Sequence, residues 1–353
     1  MPVLTRLVPA PLSVDVRAGA LDHLTDLLAE RRISANGSLA LVVSTGTDAR
    51  LRARVAPQLP GADWFPVEGG TLNAAVDVAD RLRAGTYDAV VGIGGGRTLD
   101  TTKYAAARVG LPMVAVATNL AHDGIASPVS ILDNDAGRGS YGVPAPIALV
   151  VDLDEVRAAP ARYVRAGIGE VLSNLSALAD WELAGAVAGQ PVDGLSAAFA
   201  RTAAESLLHR PGGVADDAFL VALVDSLVLS GLAMTVAGTS HPCSGACHEI
   251  SHALDLLYPE LRGLHGEQVG VGAVFASFLR DDLAMAESLA ATLRRHGLPV
   301  VPAELGISTE QFRAAVEYAP STRPGRYTIL EHLAFPPARL TDSVEKYVHT
   351  FGG

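Results

Sequence analysis

At 353 residues the chain exceeds the length at which one hydrophobic core stops growing, so two domains are expected, and 49% hydrophobic against 18% charged residues excludes a disordered chain. A net charge of −11 excludes a sequence-independent nucleic-acid binder, which needs clustered Lys and Arg to neutralise phosphates. Lys103 and Lys346 are the only lysines, so an anionic substrate must be held by Arg, by backbone N–H groups at helix N-termini or by a metal ion.

The start, MPVLTRLVPAPLSV, has no basic segment followed by an apolar stretch, and no run of about eighteen apolar residues occurs, which predicts a cytoplasmic protein without a membrane partner. From Leu39 onward short β-rich runs alternate with helical patterns. LALVVST (39–45), DWFPV (63–67), DAVVGIG (88–94) and MVAVAT (113–118) read as strands. Between them lie a helical stretch to about residue 58 and the amphipathic segments TLNAAVDVADRLRAG and RTLDTTKYAAARVG. This alternation predicts a parallel sheet covered on both faces. After VVDLDEVRAAP, near residue 160, apolar residues recur at helical spacing to about residue 318, interrupted by loop signals at RPGGVADD (210–217), SHPCSG (240–245) and STRPGR (321–326). The expected division is an α/β nucleotide-binding domain over 1–160 and a helical domain over 161–353.

Gly92-Ile93-Gly94-Gly95-Gly96 closes the strand at 88–94 and leads into the helix that begins near Arg97. Glycines at such a turn let the backbone approach a diphosphate, and the first N–H groups of the helix favour negative charge. The alternative is a tight turn that uses Gly only for positive φ. The spacing is not G-x-G-x-x-G and the acidic residue expected about twenty positions on is missing, so a dinucleotide-binding design other than that fingerprint is needed. Ser44, Thr45 and Thr47 after the first strand are candidates for the ribose side.

In the second half Glu170, His248, His252 and His265 could meet in space. His248 and His252 stand four apart, on one face of a helix, and His265 follows a turn marked by Pro259 and Gly263. Two histidines and a carboxylate suffice for a divalent cation with a position left open for a substrate oxygen, and the fourth residue could then handle protons. Each histidine alone also fits a helix-terminal charge or a satisfied, half-buried ring. Cys243 and Cys247, the only cysteines, would share one face if their stretch is helical, which leaves a redox pair open.

Together GIGGGRTLDTTKYAA, VATNLAHDGIASPVSI, AGIGEVLSNLSALADWELA, SGACHEISHALD, LHGEQVG and RPGRYTILEHL, in this order over nearly the whole chain, resemble the sn-glycerol-1-phosphate dehydrogenase family. That family sits in the superfamily of iron-containing alcohol dehydrogenases, glycerol dehydrogenase and dehydroquinate synthase. The resemblance implies a Rossmann-like parallel-sheet domain followed by an all-helical metal-binding domain of the dehydroquinate synthase-like kind. It implies that Gly94, Gly95, Gly96, Asp100, Thr118 and Ser127 contact NAD(H) or NADP(H), and that Asp123 holds the substrate. By the same comparison Glu170, His248 and His265 bind a divalent metal, normally zinc, and His252 faces the substrate as a proton carrier. The implied reaction is reversible reduction of dihydroxyacetone phosphate to sn-glycerol 1-phosphate, a step of phospholipid biosynthesis, by a homo-oligomer. A sugar-phosphate cyclase, a dehydrogenase for another polyol or cyclitol phosphate, and a non-catalytic nucleotide-binding protein are the competing expectations.

The chain departs from the family pattern at several positions. Glu170 replaces the usual Asp, as in dehydroquinate synthases, but the lysine those cyclases carry three residues later is Ser173. The family's Arg-Pro-Ala-Ser-Gly-Ser-Glu-His is His241-Pro242-Cys243-Ser244-Gly245-Ala246-Cys247-His248, so an anion partner is lost unless a protonated His241 replaces it. Ala121 stands where Ser is frequent. Lys103 is either a family-like feature of the glycine-loop helix or a solvated charge. Arg323 and Arg326 are either phosphate ligands or solvated loop charges, and the sequence does not place them in the site.

Overall fold

The computed structural model of the chain describes residues 10–46, 49–135, 137–261 and 263–352. Thr47, one of the ribose-side candidates, and residues 1–9 of the N-terminal segment lie outside the described residues. The chain forms two compact units, Met1–Asn119 with Gly124–Ala159, and Leu120–Asp123 with Pro160–Gly353.

The first unit is built on β1 (Ser13–Arg17), β2 (Leu39–Ser44), β3 (Asp63–Val67), β4 (Ala89–Gly94) and β5 (Met113–Ala117), with β6 (Val129–Asn134) and β7 (Gly137–Gly142) as a separate antiparallel ribbon, and β8 (Ala148–Asp152) returning to the main sheet. The main sheet runs β1-β8-β5-β4-β2-β3 with every pair parallel. Strands β4, β5 and β8 are buried throughout, because a parallel strand covered on both faces must be apolar on both. β3 lies at an edge and carries Pro66, whose missing N–H is harmless there. The helices here are α1 (Leu24–Leu28), α2 (Ala49–Val55), α3 (Leu72–Arg83), α4 (Gly96–Val109) and α5 (Leu153–Ala158). Thr71 caps α3 by accepting from the Ala74 N–H, and Ala75, Val78, Ala79 and Leu82 form its buried stripe.

The connections decide where a ligand fits. From β2 the chain passes by α2 to β3 on one side, whereas from β4 it passes by α4 to β5 on the other, so the strand order reverses between β2 and β4. The crevice outside the carboxyl ends of those two strands is the topological switch point, where open α/β sheets bind ligands. Its rims are Ser44-Thr45-Gly46 and Gly94-Gly95-Gly96.

The second unit is helical throughout its described residues: α6 (Ala161–Ala188), α7 (Gly194–Leu208), α8 (Asp217–Ala237), α9 (Ala246–Leu257), α10 (His265–Leu279), α11 (Leu283–Arg295), α12 (Thr309–Tyr318), α13 (Ile329–Leu333) and α14 (Pro337–Phe351). α8 is long and apolar enough to cross a membrane, but Phe219, Leu220, Leu223, Val224 and Leu227 are buried and it packs along α7, as a core helix does.

Helices α6, α9 and α10 meet backbone to backbone, and glycine is what permits it. A Cβ on Gly169 of α6 would collide with the Gly266 carbonyl oxygen, and one on Gly266 of α10 with the Ala166 carbonyl oxygen. One on Gly272 would stand 2.9 Å from the backbone of Cys247 on α9. Side chains carried by these three helices therefore project into a common, tightly bounded space.

Candidate functional site

In the first unit the glycine turn sits at the rim of the switch point. Gly95 is the N-cap of the fourteen-residue helix α4 and no side chain caps it, so the positive end of the helix is available to an anion. The turn is also sterically fixed: a Cβ on Gly94 would be 2.8 Å from Thr98, and one on Gly95 would be 2.5 Å from the Asn119 amide nitrogen. The Thr118 N–H donates to the Gly94 carbonyl at 3.1 Å, which places Thr118 beside the turn. Asp100 and Lys103 lie one helical turn in, buried, as an ion pair at 2.9 Å. The Lys103 ammonium also donates to the carbonyls of Ser127 and Val129. Lys103 is thus no solvated helix charge; it ties α4 to the segment that carries Ser127.

A second glycine turn escaped the sequence reading. Gly69 and Gly70 follow β3 with φ of +71° and +81°, the Gly70 N–H donates to Thr101 Oγ1 at 2.9 Å, and the Gly69 carbonyl accepts from Arg97 at 3.1 Å. The tripeptide Glu68-Gly69-Gly70 was the available signal.

In the second unit Glu170 from α6, His248 from α9 and His265 at the start of α10 converge, with one ligand atom from each within 4.8 Å of the others. Glu170 Oε1 stands 3.6 Å from His248 Nε2, and Oε2 stands 3.6 Å from His265 Nε2. Such distances are long for hydrogen bonds. Two ligands at about 2.1 Å around a tetrahedral ion are about 3.4 Å apart, so the spacing is that of a shared cation. Glu170 is buried, and its Oε2 has no hydrogen-bond partner among the described residues. An orphaned buried carboxylate oxygen between two imidazole nitrogens is a donor set that fits a divalent cation.

The outer contacts aim the rings. Ser251 Oγ donates to Gln268 Oε1 at 2.6 Å, so at 2.9 Å it accepts from His265 Nδ1 and leaves the Nε2 lone pair toward Glu170. Gln268 in turn donates to Asp255 at 3.2 Å. Arg162 of α6 grips Glu267 through two bonds of 2.7 Å, holding the first turn of α10 in place. Asp180, one face further along α6, accepts the Ala246 N–H at 2.8 Å and the Ile329 N–H at 2.7 Å and pairs with Arg280. It serves as the N-terminal cap that α9 lacks from its own sequence.

Burial alone would raise the Glu170 carboxyl, but the facing His265, His248 and His122 outweigh it and hold the carboxyl down at about 2. Burial would lower His248, whereas Cys247 beside its Nδ1 at 3.4 Å and Glu170 beside Nε2 draw it up to about 9. A cation needs a neutral imidazole, so loading the metal-free protein at pH 7 must displace that proton. Calorimetric zinc titration in two buffers of different ionisation enthalpy is expected to show proton release on binding, with affinity weakening as the pH falls. Uptake without proton release would contradict this electrostatic picture.

His252 is on the same face of α9 as His248, its ring 6.5 Å from His248 and 6.2 Å from His265. Asp123 and His122 belong to the same unit through the short segment Leu120–Asp123. Gly167 of α6 has no room for a Cβ beside the Leu120 carbonyl, which seats that segment on α6. Burial and the charges of Asp123 and Glu170 push the Cys243 thiol well above its ordinary range, so it stays protonated. Cys243 precedes the N-cap Gly245, and the two cysteines therefore do not share a helical face; Pro242 and the contact of Gly245 with Asp180 start the helix only at Ala246.

A family profile described as iron-containing alcohol dehydrogenase matches residues 15–160. A glycerol-1-phosphate dehydrogenase, NAD(P)+, of Hyperthermus butylicus is 34% identical over 329 residues, which cover 92% of this chain and 93% of that protein. The chain belongs to the glycerol-1-phosphate dehydrogenase family. A second member, from Pyrococcus furiosus, is 36% identical over 75% of this chain and 76% of its own. Among solved structures, a probable glycerol dehydrogenase from Sinorhizobium meliloti 1021 shares the fold with a TM-score of 0.76 at 23% identity, covering 98% of this chain and 99% of that one. The chain is accordingly an enzyme, a dehydrogenase of this family.

Against that family two expectations change. His241 does not replace the missing arginine: burial and the nearby Arg326 and Arg323 push it down to about 4, so it is neutral, stacked against Trp181 at 6.0 Å and bonded to Thr239. Arg323 is no solvated loop charge, since its Nε–H donates to His252 Nδ1 at 3.4 Å. Ser173 is buried and donates to the Glu170 carbonyl at 2.8 Å, so the position of the cyclase lysine is part of the α6 core.

Proposed function

We propose that this enzyme reduces dihydroxyacetone phosphate to sn-glycerol 1-phosphate, reversibly, with NADH or NADPH as hydride donor. The observation that supports it most is the convergence of Glu170, His248 and His265 in a chain alignable over nine-tenths of its length with a glycerol-1-phosphate dehydrogenase. Gly94, Gly95 and Gly96 at the uncapped start of α4 would take the cofactor diphosphate, with the hydroxyls of Thr118 and Ser127 and the Asp100–Lys103 pair supporting that turn. Glu170, His248 and His265 would hold a divalent cation, zinc in the first place. When bound, such a cation supplies Lewis acidity that favours the charge developing on the ketone oxygen.

His252 would face the reacting oxygen. Arg323 donates to Nδ1, so the neutral ring carries its proton on Nε2 and would give a hydrogen bond to the ketone oxygen and to the alkoxide that replaces it, while the proton that completes the alcohol comes from water and returns to water in oxidation. Asp123, in the segment seated on α6, would orient the substrate hydroxyl, as the family resemblance implies. The same family reading makes the enzyme a cytoplasmic homo-oligomer. The product is expected to be the 1-phosphate. It should therefore remain untouched by a dehydrogenase specific for sn-glycerol 3-phosphate, and consumption by that reagent would overturn the assignment.

A further inference from the structure

We infer that Arg323 and Arg326, with Ser240, form a cation-lined subsite for the phosphate group of the substrate, a role that rests on the phosphorylated-ketone reading above. The Arg326 N–H donates to the Arg323 carbonyl at 3.1 Å, a turn in the loop before α13 that brings both guanidinium groups to one place. Arg323 Nη1 and Arg326 Nη2 donate to the same acceptor, Ser240 Oγ, at 3.1 and 3.0 Å. Arg326 Nη1 also donates to the Ser244 carbonyl.

Both side chains are half-buried, and among the described residues neither has a carboxylate within 4.0 Å. Arg162, Arg201, Arg280 and Arg313 of the same unit each hold a carboxylate, whereas these two share a single hydroxyl. Two like charges partly withdrawn from water against one hydroxyl repel each other and lose hydration. A dianion with three acceptor oxygens resolves that imbalance, and the planar guanidinium fork matches it.

The location fits the chemistry. Arg323 touches His252 on one edge and the anion subsite on the other, so a phosphate held there lies one side chain away from the ring that would face the reacting oxygen. No arginine stands at position 241 and His241 is neutral, so the guanidinium charge beside Ser240 comes from the C-terminal loop, and Glu249, Asp180 and Glu331 act on it only from beyond ion-pair distance. Arg323 would also couple occupancy of the subsite to the hydrogen bond that His252 gives the reacting oxygen, because the group that binds the phosphate is the one that fixes the His252 tautomer.

The test is a specificity ratio. In the Arg323→Gln/Arg326→Gln enzyme, with zinc content first shown to match that of the parent, kcat/KM for dihydroxyacetone phosphate divided by kcat/KM for dihydroxyacetone is expected to fall about 100-fold, as loss of two charge-assisted contacts requires. Inorganic phosphate is expected to inhibit the parent enzyme competitively, and the variant more weakly by a similar factor. Should the double variant fail to retain zinc, the single Arg326→Gln protein, which keeps Arg323 on His252, carries the same prediction at about tenfold. A parent enzyme that prefers the phosphorylated ketone while the variants keep its ratio and its phosphate inhibition would overturn this subsite alone. A parent enzyme with no preference and no phosphate inhibition would overturn the phosphorylated-substrate reading with it.

Discussion

The Glu170→Ala enzyme is expected to fold, to bind NADH and to lose dehydrogenase turnover by about 10³-fold, because a cation acting on a developing alkoxide contributes several kcal/mol and Glu170 is the only anionic member of the cluster. The two imidazoles that remain would offer a weak, neutral pair. His248 and His265, no longer facing a carboxylate, would also lose the interaction that aligns their Nε2 atoms. Zinc content measured on the dialysed protein should fall in step with activity. NADH binding is a separate readout, since the glycine turn belongs to the other compact unit. Glu170→Asp sharpens the point: it restores the residue usual in the family, yet withdraws the carboxylate by about an ångström from a site whose backbone spacing suits Glu, and activity is expected to drop about 10²-fold. Full activity in Glu170→Ala would remove the metal from the account.

Gly266→Ala is expected to lose about 100-fold in kcat/KM and about 1–3 kcal/mol in stability, although it lies outside the ligand set. A Cβ there meets the Ala166 carbonyl oxygen of α6, an immovable backbone atom, so the start of α10 must shift and take the adjacent His265 with it. The informative control is Gly270→Ala on the same helix, where the nearest atom is Leu293 Cδ2 at 3.3 Å, the end of a flexible side chain. That substitution is expected to be nearly neutral, the gain in helix propensity offsetting a small repacking. Activity and unfolding midpoints measured on the pair separate a positioning effect from a general sensitivity of α10.

The parallel sheet was legible because β2, β4 and β5 are short apolar runs punctuated by turn residues, a pattern that only a doubly covered strand needs. β1, the β6–β7 ribbon and β8 were not read: SVDVR is a half-polar edge, GRGSYG looks like loop, and ALVVD merges with the helical pattern that follows it. Convergence of Glu170 with the histidines was foreseeable in kind from the four-residue spacing of His248 and His252, and geometry now brings Glu170, His248 and His265 together. What held them there was hidden. Asp180 caps a helix 66 positions later in the chain, Arg323 reaches a ring 71 positions earlier, and the glycines at 169 and 266 matter only because the two helices cross at those points. Such long-range contacts leave no periodic trace in a single sequence. The arginine question shows the same limit, since whether a charge is solvated depends on what else the fold brings beside it.

The most direct measurement is absorbance at 340 nm for purified protein supplied with zinc, dihydroxyacetone phosphate and NADH or NADPH, run beside Glu170→Ala. The account predicts stoichiometric oxidation of reduced cofactor by the parent enzyme and its near-abolition in the variant. Absence of oxidation from parent protein that has demonstrably bound both zinc and cofactor would contradict it.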